Sequence, residues 1–112
     1  MSDVLDDVAV LDRVYGVVLT RRNADPDVSH VARLFHKGTR KIAQKVGEEA
    51  VETVIAAMSQ KRKDIVAESA DLMFHLLVLW ADAGVRPQDV WAELSRREGT
   101  SGLDERKKRN GG

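Results

Sequence analysis

The chain has 112 residues, enough for one small domain. Its 18 Lys and Arg balance 18 Asp and Glu, so the net charge excludes a general attraction to nucleic acid or membranes. The absence of cysteine excludes disulfides, thiolate nucleophiles and cysteine-bound zinc. The longest apolar run, from Leu72 to Ala81, is about half the length of a membrane helix. We therefore expect a cytoplasmic protein without a membrane segment.

Hydrophobic periodicity predicts an all-α fold, a bundle of about four to five helices. The predicted helices cover residues 3–21, 29–37, 39–59, 64–83 and 87–98. Ser29 is a candidate N-cap, Gly38 ends that short helix, and Thr39 is a candidate cap for the next one. Gly84 ends the fourth helix, and Pro87 suits the first turn of the last. Residues 1–99 should form the domain, and residues 100–112 a polar, basic tail.

The predicted helix 64–83 is apolar almost all round between Leu72 and Trp80. Such a helix is normally buried on every side, which one small bundle can hardly achieve. Because small chains gain core by association, we expect homo-oligomerisation to complete the bundle and predict a dimer. A packed monomer is the alternative.

Two neighbouring helices carry an unusual concentration of carboxylates. On helix 39–59, four side chains fall within one narrow stripe at about 100° per residue: Lys41, Lys45, Glu48 and Glu52. Glu49 lies at the edge of this stripe and should be partly buried. On helix 64–83, Glu68, Asp71 and His75 share a face, and Asp71 should be poorly solvated because it precedes the apolar run.

If the two helices face each other, their carboxylates form one cluster. Oxygen ligands without cysteine favour Mg²⁺ or Mn²⁺, and Mg²⁺ usually shares its coordination shell with substrate phosphates. Lys41 and Lys45 would then hold a phosphate chain. The alternative is a solvated face stabilised by Glu–Lys pairs. His75 is either a substrate contact, a general base, or a core histidine hydrogen-bonded to Asp71. Gly47 either allows the close approach of a ligand or helix or marks a mild kink in its own helix.

Four segments resemble one known family: VARLFHKG at 31–38, KIAQKVGEEAVE at 41–52, ESADLMFH at 68–75 and EGTSGL at 98–103. They are similar to phosphoribosyl-ATP pyrophosphohydrolase of histidine biosynthesis, which belongs to the all-α MazG-like pyrophosphohydrolase superfamily. The resemblance implies hydrolysis of 1-(5-phosphoribosyl)-ATP to 1-(5-phosphoribosyl)-AMP and pyrophosphate.

The resemblance also implies roles for individual residues. The implied Mg²⁺ ligands, with Mn²⁺ as a substitute ion, are four carboxylates: Glu49, Glu52, Glu68 and Asp71. Glu48 is the implied catalytic residue, which orients or deprotonates the attacking water. The expected substrate contacts are Arg33, Lys37, Lys41, Lys45 and His75.

Two other functions stay open at the level of sequence. One is a housecleaning nucleoside triphosphate pyrophosphohydrolase with the same metal site and a different base pocket. The other is a helical adaptor whose basic run, Arg106 to Arg109, binds nucleic acid or an acidic partner. We expect a small nucleotide as the binding partner, with neither nucleic acid nor membrane.

Overall fold

The structure is a computed structural model that describes residues 4–99 and residue 109. Residues 4–99 form five α-helices and no strand: α1 (Val4–Arg21), α2 (His30–Lys37), α3 (Thr39–Ser59), α4 (Arg62–Ala83) and α5 (Pro87–Arg97). The predicted all-α class is confirmed, with helix ends within two residues of those expected. The predicted tail lies outside the described residues except for Arg109, so its boundary at residue 100 stays a prediction.

The short connection between α2 and α3 shows one correct and one wrong capping prediction. The Ser29 hydroxyl accepts a hydrogen bond from the Ala32 N–H at 3.1 Å, as an N-cap should. Gly38 ends α2 with φ of +94°, a conformation that favours glycine. Thr39 does not cap α3: it is the first helical residue, and its hydroxyl donates to the carboxylate of Asp82 at 2.6 Å.

Helices α3 and α4 form an antiparallel pair that spans the molecule. Only two residues separate them, which favours antiparallel neighbours. The Thr39–Asp82 hydrogen bond joins the start of α3 to the end of α4. The Thr53 hydroxyl joins their middles, because it lies 3.3 Å from the carbonyl oxygen of Glu68. The matching spacing of these contacts sets the register in which the two helices face each other.

The hydrophobic core lies where α1, α2, α3 and α4 meet. Its buried members are Val18, Val31, Leu34, Ile42, Val78 and Ala81. Tyr15 ties α1 to the segment after α4, because its hydroxyl donates to the carbonyl oxygen of Val85 at 2.8 Å. This core anchors the end of the α3–α4 pair at which α3 begins and α4 ends.

One subunit covers more of α4 than its sequence suggests. His75, Leu77 and Val78 are buried, and every other residue between 72 and 80 is at least partly buried. The apolar side chains left exposed lie instead mainly on α1 and α3. None of the described helices combines the length and apolar character needed to cross a membrane.

Candidate active site

Three carboxylates from two helices meet near the middle of the α3–α4 pair. Oxygen atoms of Glu49 on α3 and of Glu68 and Asp71 on α4 lie within 4.8 Å of one another. Thr53 holds this arrangement, because its hydroxyl donates to the Glu49 carbonyl oxygen at 2.8 Å and lies 3.3 Å from that of Glu68. We call Glu49, Glu68 and Asp71 the acidic cluster. The structure therefore brings together three of the four residues that the sequence singles out as metal ligands.

Glu52, the fourth expected ligand, lies beside the acidic cluster. It is exposed and lines a cavity of about 200 Å³ together with Glu68. Burial raises the pKa of Glu68 above its usual value, and the negative charges of Asp71, Glu52 and Glu49 raise it further. Crowded carboxylates of this kind repel one another, and a bound cation would relieve the repulsion.

The exposure of the cluster agrees with one prediction and contradicts another. The side chain of Glu49 is 15% exposed, so it is partly buried as expected. Asp71 is exposed, and the prediction that it is poorly solvated was wrong. The physical reason is that consecutive helical residues point about 100° apart, so the apolar run that follows Asp71 does not surround it.

Glu48 lies on the solvent side of the acidic cluster, about one helical turn after Lys45. Its carboxylate accepts a hydrogen bond from the Gln44 amide at 2.8 Å and pairs with Lys45 at 3.3 Å. These two contacts, that of Gln44 first, lower the pKa of Glu48. The group is therefore ionised and held in place. A carboxylate with a lowered pKa is better suited to orienting a water molecule than to removing its proton.

A groove lined with cations adjoins the carboxylates. It encloses about 170 Å³, and we call it the basic groove; its lining is His30, Arg33, Leu34, Lys37, Lys41 and Lys45. Lys45 connects the two regions, because its ammonium also lies 3.9 Å from Glu49. All four cations that the sequence singles out as substrate contacts thus line one groove.

His30, the first residue of α2, also lines the groove, although it is not among the predicted site residues. Its position could have been found from the spacing, since His30, Arg33 and Lys37 follow one another at three and four residues and therefore share a helical face. Partial burial lowers the pKa of His30, and His75, Arg33 and nearby lysines lower it further. The cationic surroundings of His30 therefore favour its neutral form.

His75 is buried behind this groove, with 7% of its surface exposed. Its Nδ1 lies 2.8 Å from the backbone oxygen of Asp71. The predicted link between these residues therefore exists, but it uses the main chain and not the Asp71 carboxylate. The imidazole contacts two other rings edge-on, those of His30 and Phe74, with centroids 6.3 Å and 5.2 Å away.

An antiparallel helix pair with clustered carboxylates and an adjoining basic groove is the arrangement expected of an all-α pyrophosphohydrolase. The family of phosphoribosyl-ATP pyrophosphohydrolase matches residues 11–98, and the chain belongs to this family. The matched range contains every residue of the acidic cluster and of the basic groove. Membership of an enzyme family also favours catalysis over the adaptor function.

Curated relatives agree over most of their length. The chain is 58% identical to the phosphoribosyl-ATP pyrophosphatase of Paramagnetospirillum magneticum, across 92% of this chain and 94% of that protein. It is 59% identical to that of Azospirillum brasilense, across 90% and 91%. For the protein of the same name from Rhizorhabdus wittichii the identity is 62%, across 86% and 91%.

Proposed function

We propose that this chain hydrolyses 1-(5-phosphoribosyl)-ATP between its α and β phosphates, releasing 1-(5-phosphoribosyl)-AMP and pyrophosphate in histidine biosynthesis. The observation that carries this proposal is the acidic cluster with the basic groove beside it, in a chain of this family. We also propose that the enzyme is cytoplasmic, because its substrate is a nucleotide derived from ATP.

The acidic cluster fits Mg²⁺ by its chemistry. Glu49, Glu68 and Asp71 offer hard oxygen ligands close together, and Glu52 adds a fourth carboxylate beside them. When bound, Mg²⁺ or Mn²⁺ would offset phosphate charge and make a water molecule a better nucleophile. The raised pKa of Glu68 supports this assignment, since the carboxylates repel one another without a cation.

The other charged residues act on water and on the departing group. Glu48 is ionised and anchored by Gln44 and Lys45, so it can orient the attacking water for in-line attack. Lys41 and Lys45 line the basic groove next to the cluster, where they would stabilise the negative charge that develops on the departing pyrophosphate. Because Lys45 also pairs with Glu48, it couples the water site to the phosphate site.

Selectivity for phosphoribosyl-ATP needs contacts beyond the triphosphate, because the acidic cluster interacts only with phosphates and water. Arg33 and Lys37 lie on α2, farther along the basic groove, and His75 lies behind its wall. Arg33 is held there, since its Nε donates to the carbonyl oxygen of Pro26 at 3.1 Å. We assign these three residues to the added ribose phosphate and the purine.

The proposed active form is a homodimer. Four apolar side chains follow one another along α3 at helical spacing and are more than half exposed: Val51, Val54, Ile55 and Met58. We call them the α3 stripe. A stripe of this spacing on a helix of 21 residues suits packing against the same stripe of a second copy. Because a chain of this size has a small core of its own, association would add core.

Pyrophosphate release from phosphoribosyl-ATP, measured with Mg²⁺ and with excess chelator, tests the proposal. We expect release with Mg²⁺ and none with chelator. A panel of ordinary and modified nucleoside triphosphates separates the pathway enzyme from a housecleaning one. If the panel is cleaved as efficiently as phosphoribosyl-ATP, the pathway assignment is wrong and only the metal-dependent hydrolysis survives.

The specificity assignment is tested by Lys37→Ala. This variant should raise the KM for phosphoribosyl-ATP while changing the hydrolysis of simple triphosphates much less. Lys61→Ala is the matched control, because Lys61 is exposed in the turn between α3 and α4, at the opposite end of α3 from Lys41. Equal changes for both substrates in Lys37→Ala would contradict the assignment of Lys37 to the phosphoribosyl group.

A further inference from the structure

The imidazole of His75 has one nitrogen engaged and one without a hydrogen-bond partner in the described part of the chain. A backbone carbonyl can only accept a hydrogen bond, so Nδ1, 2.8 Å from the Asp71 oxygen, must carry the proton. In the neutral ring Nε2 is then an acceptor with a free lone pair. Nε2 is buried and has no hydrogen-bond partner among the described residues. Leaving a buried polar atom unpaired is unfavourable, so the arrangement calls for a reason.

The position of His75 suggests that reason. Its ring lies edge-on to His30, which itself lines the basic groove. His30 is exposed and is the first residue of α2, so its side chain is free to turn toward solvent. The His75 ring is thus next to a side chain of the groove wall, in contrast to Leu77 and Val78, which are buried in the packed interior.

We propose that Nε2 of His75 accepts a hydrogen bond from a neutral N–H or O–H group of the nucleotide, and that His30 turns aside to admit that group. This inference rests on the proposed function and adds a selection rule to it. The cations of the basic groove recognise phosphate, whereas His75 recognises a donor that phosphate and pyrophosphate lack. The donor is either a ribose hydroxyl or the amino group of the purine.

Because the chain contains three histidines, nitrogen NMR of isotopically labelled protein can follow His75 directly. In the free protein, Nε2 should show the resonance of a neutral nitrogen without a hydrogen bond. Phosphoribosyl-AMP should move that resonance upfield, and pyrophosphate should leave it unchanged. A shift with ribose 5-phosphate assigns the donor to a sugar hydroxyl, and a shift that needs AMP assigns it to the base.

Two variants of His75 separate a recognition role from a structural one. His75→Asn keeps an amide donor near the position of Nδ1 and removes the acceptor at Nε2, so the contact with the Asp71 carbonyl oxygen is retained and circular dichroism should show a folded protein. Its KM should rise about tenfold, the effect of one hydrogen bond. His75→Gln instead places an amide near the position of Nε2 and should retain more of the affinity. Equal KM values for the two variants would overturn the inference.

His30→Ala tests whether the His30 side chain separates Nε2 of His75 from the basic groove. Removing this ring should let water reach Nε2, so the His75 resonance should already move upfield without ligand. An unchanged resonance in His30→Ala would show that His30 does not separate Nε2 from the groove. If no ligand shifts Nε2 in a protein that still releases pyrophosphate from phosphoribosyl-ATP, the inference is wrong while the proposed function stands. Loss of pyrophosphate release in the wild type would instead contradict the proposed function itself.

Discussion

The α3 stripe offers a sharp test of assembly, through the substitution Val54→Asp. Val54 is 62% exposed in the subunit, so an aspartate there remains solvated in a monomer and should leave the fold intact. In a dimer built on the stripe, the same position is buried twice, once in each copy, because the interface of a two-fold dimer uses one patch of each subunit. The substitution therefore affects association and not folding.

The magnitude follows from the exposed fraction. Complete burial of a valine stabilises by roughly 1.5–3 kcal/mol, so the exposed part of Val54 would contribute about 1–2 kcal/mol per subunit and about 2–4 kcal/mol per dimer. Burying a carboxylate adds a further penalty. The dimer dissociation constant should thus rise by roughly thirtyfold to several hundredfold or more.

Sedimentation over a dilution series measures this change. Wild type should sediment at twice the subunit mass of 12.4 kDa, and Val54→Asp should sediment at the subunit mass with unchanged helical circular dichroism. Val28→Asp is the matched control, because Val28 is 82% exposed between α1 and α2, away from the stripe. A wild-type monomer at micromolar concentration would contradict the dimer, and a Val54→Asp protein that keeps the wild-type mass throughout would show that the α3 stripe is not its interface.

Three further predictions concern the site and the stability of the subunit. Glu49→Gln should reduce pyrophosphate release by about a hundredfold or more. Its thermal midpoint without metal should be no lower than that of wild type, because the substitution removes a negative charge from the acidic cluster. A lower midpoint would contradict the repulsion between these carboxylates. Gly47→Ala should stabilise the protein by about 1 kcal/mol in denaturant unfolding, because among the described residues no atom beyond the local helix backbone lies within 4 Å of the added Cβ. Destabilisation would contradict this. Hydrogen bonds from Arg96 and, to a smaller extent, from Arg97 lower the pKa of Glu93 from 4.5 to about 2. The stabilisation by ionised Glu93 is therefore complete above pH 4.5 and is lost as the pH falls toward 2. Wild type and Glu93→Gln should thus differ in their free energy of unfolding at neutral pH and converge in acid. An undiminished difference at pH 2 would contradict this prediction.

The fold class and most helix boundaries could be predicted from the amino-acid sequence alone. Local signals suffice for these features: Ser29 supplies a cap, Gly38 and Gly84 adopt positive φ at helix ends, and Pro87 begins α5. The candidates for the acidic cluster were also visible in the sequence, because their spacing places them on defined faces of two helices. The resemblance to a family then attached a reaction to those faces.

Only the tertiary structure decided which of these side chains meet, and how. The α3–α4 register, held by Thr39 with Asp82 and by Thr53, places Glu49 against α4 and leaves Glu52 to one side. The packing of α2 against α3 brings His30 into the basic groove, which no pattern within α3 could reveal. Periodicity gives the direction of a side chain around its own helix axis, whereas solvation and contacts depend on the neighbouring helix. For this reason Asp71 is exposed and the Nε2 atom of His75 is buried with no hydrogen-bond partner among residues 4–99, although the two residues share a face.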